Sequence, residues 1–356
     1  MRGFKKIQLI FLLVVGAIIG GGVPLVANAA SAGDIGFNVS AQIPKNQINK
    51  KNSFFDLRMK SGQTETLRVK VFNISNQDVT VKSAIHTAWT STNGAIEYVK
   101  PEKEFDSTLR YKMSDISKIQ GKQTITIPAN GSKIVTATVK IPKTNFNGVI
   151  LGGWYFERKD SKVTGTVKGS SNMTNKYSYV IGMKYTMGQV PNPSMSLGKV
   201  AAGLGNYHRG VIADLRNTTA VIIPKLKMDT TVTNRDGGSV VKHVKKENVQ
   251  MAPNTTFKYA MLYGDTPMKA GHYHLHMVVQ NTDHKWVFDR NFTVTAAQAN
   301  RVNKDAVENS GISIWLLVAL GALGMLLLVL LILLIIYLIR RRRRDEDDDE
   351  DEDEEK

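Results

Sequence analysis

Residues 312–339 read ISIWLLVALGALGMLLLVLLILLIIYLI, 28 residues without a charge. At about 1.5 Å per residue a helix of that length reaches roughly 42 Å, more than the ~30 Å of a bilayer's hydrocarbon. It shows no polar face, so it does not fit the amphipathic pattern of a helix in a soluble core. Trp315 and Tyr337 lie near its ends, where amphipathic rings favour the membrane interface. Residues 340–344 are five arginines, followed by an acidic run over 345–355. By the positive-inside bias the 340–356 segment is cytoplasmic, and everything before residue 312 lies outside the cell.

The N-terminus points the same way. Arg2, Lys5 and Lys6 precede an apolar stretch over 7–19, and Ala27-Asn28-Ala29 offers a small-x-small cleavage site. This predicts a secretory signal over 1–29, with a retained signal anchor as the alternative. The expected product is a single-pass membrane protein with its N-terminus outside.

That topology changes the meaning of the charge. The chain has 47 Lys+Arg and 31 Asp+Glu, and nine of the bases and eleven of the acids lie in its two ends. The outer segment 30–311 therefore keeps 38 bases against 20 acids, a net charge of about +18. Such a surface suits anionic wall polymers, anionic glycans or a membrane surface, or simply keeps solubility; nucleic acid is not expected outside the cell. There are no cysteines, which for an ectodomain of this size leans toward a Gram-positive bacterial surface.

From residue 36 the pattern is period two with turn residues between short runs. Phe37, Val39, Ala41 and Ile43 alternate with polar residues, as do Leu67, Val69 and Val71. The 124–127 and 134–141 runs flank Pro128-Ala129-Asn130-Gly131-Ser132, which reads as a hairpin with an Asn-Gly turn. Residues 159–176 are rich in Ser, Thr, Gly and Lys and read as a linker. Tyr179, Ile181, Met183, Tyr185 and Met187 then alternate on one face, and further strands follow up to residue 295. The expectation is an all-β chain: two tandem immunoglobulin-like β-sandwiches over 30–158 and 177–298, a short juxtamembrane leash over 299–311, and one transmembrane helix.

Several segments carry a resemblance. Ile43-Pro44-Lys45-Asn46-Gln47, Phe55-Asp56-Leu57, Val69-Lys70-Val71-Phe72-Asn73-Ile74-Ser75, Asn93-Gly94-Ala95-Ile96-Glu97-Tyr98 and Phe146-Asn147-Gly148-Val149-Ile150-Leu151-Gly152-Gly153 occur in that order. Later come Met251-Ala252-Pro253-Asn254-Thr255-Thr256, Gly271-His272-Tyr273 and Trp286-Val287-Phe288. The chain resembles the WxL-interacting proteins of low-GC Gram-positive bacteria. That resemblance implies a first domain that binds peptidoglycan and a second that binds partners, namely WxL-domain surface proteins and components of the host extracellular matrix. One habit departs from the family pattern: Trp89 stands between Ala88 and Thr90 and leaves the local register open.

Candidate chemistry is sparse. Trp89, Tyr98, Trp154 and Tyr155 lie near glycines and turns, where aromatic faces can stack on sugar rings or fill a core. With Asn46 and Gln47 they form the candidate glycan-binding set. His272, His274 and His276 share one side of a strand at about 7 Å spacing, and are either a weak metal cluster or the polar outer face opposite Tyr273, Leu275 and Met277. Glu102, Glu104 and Asp106 read as solvated loop carboxylates. No Gly-x-Ser-x-Gly, P-loop or cysteine nucleophile is present, so neither an enzyme nor a cofactor is expected. Two readings remain: a tethered, non-enzymatic binding protein, and a stalk or assembly chaperone acting by β-strand addition.

Overall fold

A computed structural model describes residues 36–159, 177–310 and 314–353. The expected signal segment 1–29 and nearly all of the 159–176 linker lie outside the described residues.

The first sandwich packs two sheets over one core. One runs in the order β1 (Phe37–Gln42), β3 (Thr64–Asn73), β9 (Ser132–Lys140), β7 (Ser117–Ile119). The other runs β2 (Phe55–Arg58), β11 (Ser178–Met187), β10 (Gly148–Arg158), β4 (Val79–Thr87), β8 (Thr124–Ile127). Alternate residues point inward, so Leu67, Val69 and Val71 of β3 meet Trp154 and Phe156 of β10 across the core. A ribbon of β5 (Trp89–Thr90) and β6 (Ile96–Glu97) and a four-residue helix α1 (Met113–Ile116) lie outside the two sheets.

The second sandwich repeats the plan. Its sheets are β12 (Met195–Gly205), β13 (His208–Asn217), β16 (Thr255–Leu262), and β15 (Val240–Met251), β14 (Ile223–Asn234), β17 (Gly271–Gln280), β18 (Lys285–Val294). Their inward residues, among them Leu215, Phe257, Leu275 and Met277, form its core. Helix α2 (Ala296–Asp305) follows β18, opened by Thr295, whose hydroxyl accepts from the Gln298 N–H while the Gln298 side chain accepts from the Thr295 N–H. The last helix, α3 (Ile314–Asp353), contains Leu316–Ile339, 24 residues of mean hydropathy 3.2 with none buried, long and apolar enough to cross a membrane.

Three expectations are corrected. First, the 177–187 strand does not open the second domain. β11 lies beside β10 from end to end and adds Ile181, Met183 and Tyr185 to the first core, so the chain returns to the first sandwich after the linker. Its pairing with β2 is parallel, a departure from an all-antiparallel sandwich. Second, 124–127 and 134–141 are not a hairpin: β8 pairs with β4 and β9 with β3, so the Pro128–Asn130 turn carries the chain from one sheet to the other. Asn130 takes the left-handed conformation there (φ 55°), and Gly131 O accepts from the Asn73 N–H at 2.9 Å. Third, residues 299–305 are no leash. Ala299, Val302 and Ala306 are buried against the second sandwich, and Glu308 reaches His208 at 2.9 Å and Arg209 at 3.5 Å.

A fragment of residues 36–189 should therefore fold cooperatively, whereas 36–160, which lacks the four buried core side chains of β11 (Ile181, Met183, Tyr185 and Met187), should not. Chemical-denaturation curves followed by tryptophan fluorescence compare the two, and a cooperative transition for 36–160 contradicts the placement of β11.

Candidate binding groove and the joint between the sandwiches

The two sandwiches meet through a small, polar-rich joint. Ala88, Val149, Leu151 and Ala252 form its apolar centre, with Ile96, Tyr98 and Ile222 around it. Backbone bonds cross it: Val149 N–H to Ala220 O at 2.7 Å and Gln250 N–H to Gly94 O at 2.8 Å. Gly94 has φ +76°, and a Cβ there would stand 3.0 Å from Val249, so glycine meets both a backbone and a space requirement. The Thr90 and Thr255 hydroxyls lie 2.6 Å apart, and Thr90 Oγ1 accepts from the Ala252 N–H at 3.0 Å. The Asn93–Tyr98 and Met251–Thr256 segments, which carry the resemblance in the two halves, thus pack on each other.

Asp106 is the anchor of this joint. Its carboxylate accepts from Arg216 Nε at 2.7 Å and Nη2 at 2.8 Å, and from the Thr256 hydroxyl at 2.6 Å. Within its own loop it also accepts from the N–H and hydroxyl of Thr108. The side chain is 1 % exposed, so it is not the solvated loop acid that the charged sequence around it suggests. Burial alone would raise this carboxyl, but the Arg216 guanidinium and the Thr256 and Thr108 donors outweigh it and hold it well below the usual carboxylate range.

Beside the joint lies a groove of about 940 Å³. One wall is β1 at Val39, Ser40 and Ala41, and the other is residues 179–184 of β11. Phe54, Tyr98 and Leu151 border it, with Lys50 and Lys51 on its rim. Phe54 covers Gly182 and Tyr98 covers Gly153, where a Cβ would come within 2.9 Å of the Tyr98 side chain. Burial pushes the Tyr98 phenol above its ordinary range.

The expected glycan set does not converge. Trp154 is fully buried, stacked 5.6 Å from Phe156, and cannot meet a sugar. Gln47 is buried too; its amide donates to Phe54 O at 2.8 Å and accepts from the Asp56 N–H at 3.0 Å, which ties down the loop before β2. Asn46 lines a separate hollow of about 430 Å³ with Lys45, Glu65 and Arg68. Trp89, Tyr98 and Tyr155 keep partial exposure; Trp89 Nε1 donates to Lys100 O, and Tyr155 stacks on His86, whose ring nitrogen lies 3.0 Å from Tyr98 O.

On the second sandwich, His272, His274 and His276 lie on the outer side of β17, and Tyr273, Leu275 and Met277 on the inner. Their rings face β18: His272 toward Thr293, His274 toward Asn291, and both His274 and His276 toward Asp289 at 3.1 and 2.8 Å. Among the described residues no three His, Asp or Glu side chains are arranged to hold a metal.

Two β-sandwiches joined in this way and followed by a membrane-length apolar helix define a class: a tandem, surface-type β module with a C-terminal anchor segment. Within that class the family is shown by matches over most of the chain. Residues 37–158 match the WxL Interacting Protein, peptidoglycan binding domain, and residues 168–304 match the WxL Interacting Protein, host binding domain. The chain belongs to the WxL-interacting protein family, and both matched families are binding domains. Among curated proteins no match is found. Solved structures with faint likeness include the Salmonella enterica SafA pilin in complex with the SafB chaperone (9 % identity, 71 % of this chain, 95 % of that one, TM-score 0.27) and the E. coli chaperone DraB (14 %, 73 %, 97 %, 0.27).

Replacing Asp106 with alanine leaves Arg216 without its buried partner and should lower stability by about 3 kcal/mol, read from denaturant midpoints. A carboxyl held below its unfolded value stabilises the fold above that value. The Asp106 contribution should therefore be intact from pH 7 to about pH 5 and decline only as the pH falls below about 4. The stability difference between wild type and Asp106→Asn, measured across that range, should be flat and then shrink toward low pH.

Proposed function

We propose that this protein is a non-enzymatic, membrane-anchored binding protein of the bacterial cell surface. The first sandwich holds peptidoglycan or a related anionic wall polymer, and the second holds WxL-domain surface proteins or components of the host extracellular matrix. The observation that carries this reading is the combination of the two family matches with the apolar helix that follows them. The arginines at 340–344 support an orientation with the C-terminus in the cytoplasm and both sandwiches outside. The folded chain then runs outward from the bilayer: α2, the second sandwich, the joint, and the first sandwich farthest into the wall.

The glycan surface is assigned to the half-buried aromatics on and beside the outer side of the β4–β10 sheet: Trp89, Tyr98 and Tyr155. Their ring faces suit the apolar sides of sugar rings, and the basic ectodomain favours a polyanionic wall. Asn46, in its separate hollow, is a secondary candidate, while Trp154 and Gln47 are buried and offer no surface to a glycan.

Full-length protein in detergent micelles should co-sediment with purified sacculi in a salt-dependent manner. At roughly 1 kcal/mol per stacked ring, the Trp89→Ala, Tyr98→Ala, Tyr155→Ala triple variant should bind at least tenfold more weakly. A triple variant that sediments like the parent removes this surface from the proposal.

A further inference from the structure

The groove beside the joint is lined by six consecutive residues of β11, Tyr179, Val180, Ile181, Gly182, Met183 and Lys184. Successive side chains of a strand point to opposite faces, so a site on one face takes every second residue. A site lined by both parities is built on the strand's edge. The pairing agrees. β10 covers one side of β11 along its length, but β2 covers the other only at 183–186. Among the described residues no strand pairs with that side of 178–182. The opposite wall is equally open: β1 pairs with β3, and no described strand pairs with its groove side.

The second sandwich supplies an internal comparison. Its β12 and β18 occupy the places that β1 and β11 hold in the first. There the seam is closed: β12 has 11 residues against six for β1, Arg290 Nη2 of β18 donates to Leu197 O of β12 at 2.9 Å, and Ala299 and Val302 of α2 join the core beside them. Among the described residues the first sandwich has no counterpart to α2, since the chain leaves β11 directly for β12. Its seam stays open as a trough with apolar walls at Val39, Ala41 and Ile181.

Unpaired edge amides and carbonyls of this kind are satisfied by an added strand. Five residues of free edge span about 17 Å, the length of a short strand. The rim fixes the charge of what enters. Lys50 and Lys51 are exposed, whereas Lys184 is already paired with Asp56 at 3.1 Å. We propose that the first sandwich takes an extended segment of a protein partner, with alternating apolar side chains and acidic flanking residues, as an added strand on the 178–182 edge of β11. The added strand uses neither Trp89 nor Tyr155, so this proposal does not depend on the glycan reading, although Tyr98 borders both sites.

The probe is a labelled nine-residue peptide in which valine alternates with threonine between aspartates, titrated against full-length protein in micelles by fluorescence anisotropy. A peptide of the same length and charge, with proline replacing alternate residues between the aspartates, serves as control. Saturable binding of the first peptide and not the second is expected, with slowed hydrogen exchange at the 178–182 amides. The Lys50→Glu, Lys51→Glu variant lies on the exposed rim and should keep its fold while weakening binding about tenfold; a peptide with lysines for the aspartates should restore it. Equal affinity for the proline control, unchanged exchange at 178–182, or indifference to the lysine reversal each overturns the proposal. Dimerisation of the protein alone with protection of the same amides also overturns it, by assigning the edge to a second copy of this chain.

Discussion

The arrangement of this molecule depends on one buried carboxylate. Asp106 accepts two hydrogen bonds from Arg216 and one from Thr256 across the joint, and two more from Thr108 in its own loop. Removing a carboxylate from water costs several kcal/mol, and only a nearly complete set of donors offsets that cost. Geometry is thereby specified more strongly than affinity: any rotation of one sandwich against the other leaves the charge buried and short of partners. The joint has few apolar residues, and its neighbours Thr90, Thr255 and Asn254 also work through directed hydrogen bonds. The two sandwiches are held by orientation-sensitive contacts rather than by a broad greasy surface.

Inside each sandwich a second polar device recurs. β3 ends at Asn73, buried, whose amide donates to Gln77, Ile127 and Pro128 carbonyls while its oxygen accepts from Ser75. β13 ends at Asn217, also buried, whose amide donates to Val221 and Ala252 while its oxygen accepts from Thr219. In both halves an Asn-x-Ser/Thr triplet turns the chain and ties the corner to a neighbouring strand. Such a buried amide is favourable only because every donor and acceptor finds a partner. The same corner in two unlike sequences argues that the sandwiches are variants of one plan, which is why their differing seams can be compared directly.

The sequence made much of this readable, and the failures have physical causes. Period-two alternation locates β3, β11 and β17 and their inward residues, because a half-buried strand cannot avoid that pattern. The 28-residue uncharged run was equally plain. Alternation does not say which sheet a strand joins, so by itself it predicts β11 in the second sandwich and β8–β9 as a hairpin, and the structure shows neither. Only pairing partners distant in sequence decide those points. Asp106 was passed over because its neighbours are charged and its loop is polar; the one local hint is Asp106-Ser107-Thr108, a typical turn-capping triplet, and nothing nearby announces Arg216. The Asn73-Ile74-Ser75 triplet is visible as part of the family resemblance, but nothing local marks it as a corner latch. Trp154 shows the limit for sites: an aromatic next to Gly152 and Gly153 fits a sugar platform or a core, and strand parity sent it inward while Tyr155 turned out.

What connects the first sandwich to the apolar helix is therefore more continuous than a domain-and-linker picture suggests. The covalent path leaves β11, crosses residues 188–194, and enters β12 next to the joint. From there α2 is seated on the second core, Asn303 is bonded both ways to Met268, and Val307 N–H reaches Tyr207 O at 2.9 Å. A force applied to the first sandwich consequently meets the Asp106–Arg216 bonds and the Val149–Ala220 and Gln250–Gly94 backbone bonds together, and yielding requires several short-range contacts to break at once rather than one after another. The first sandwich is thereby held at a fixed distance and orientation relative to α2, whereas a flexible leash would leave both undefined.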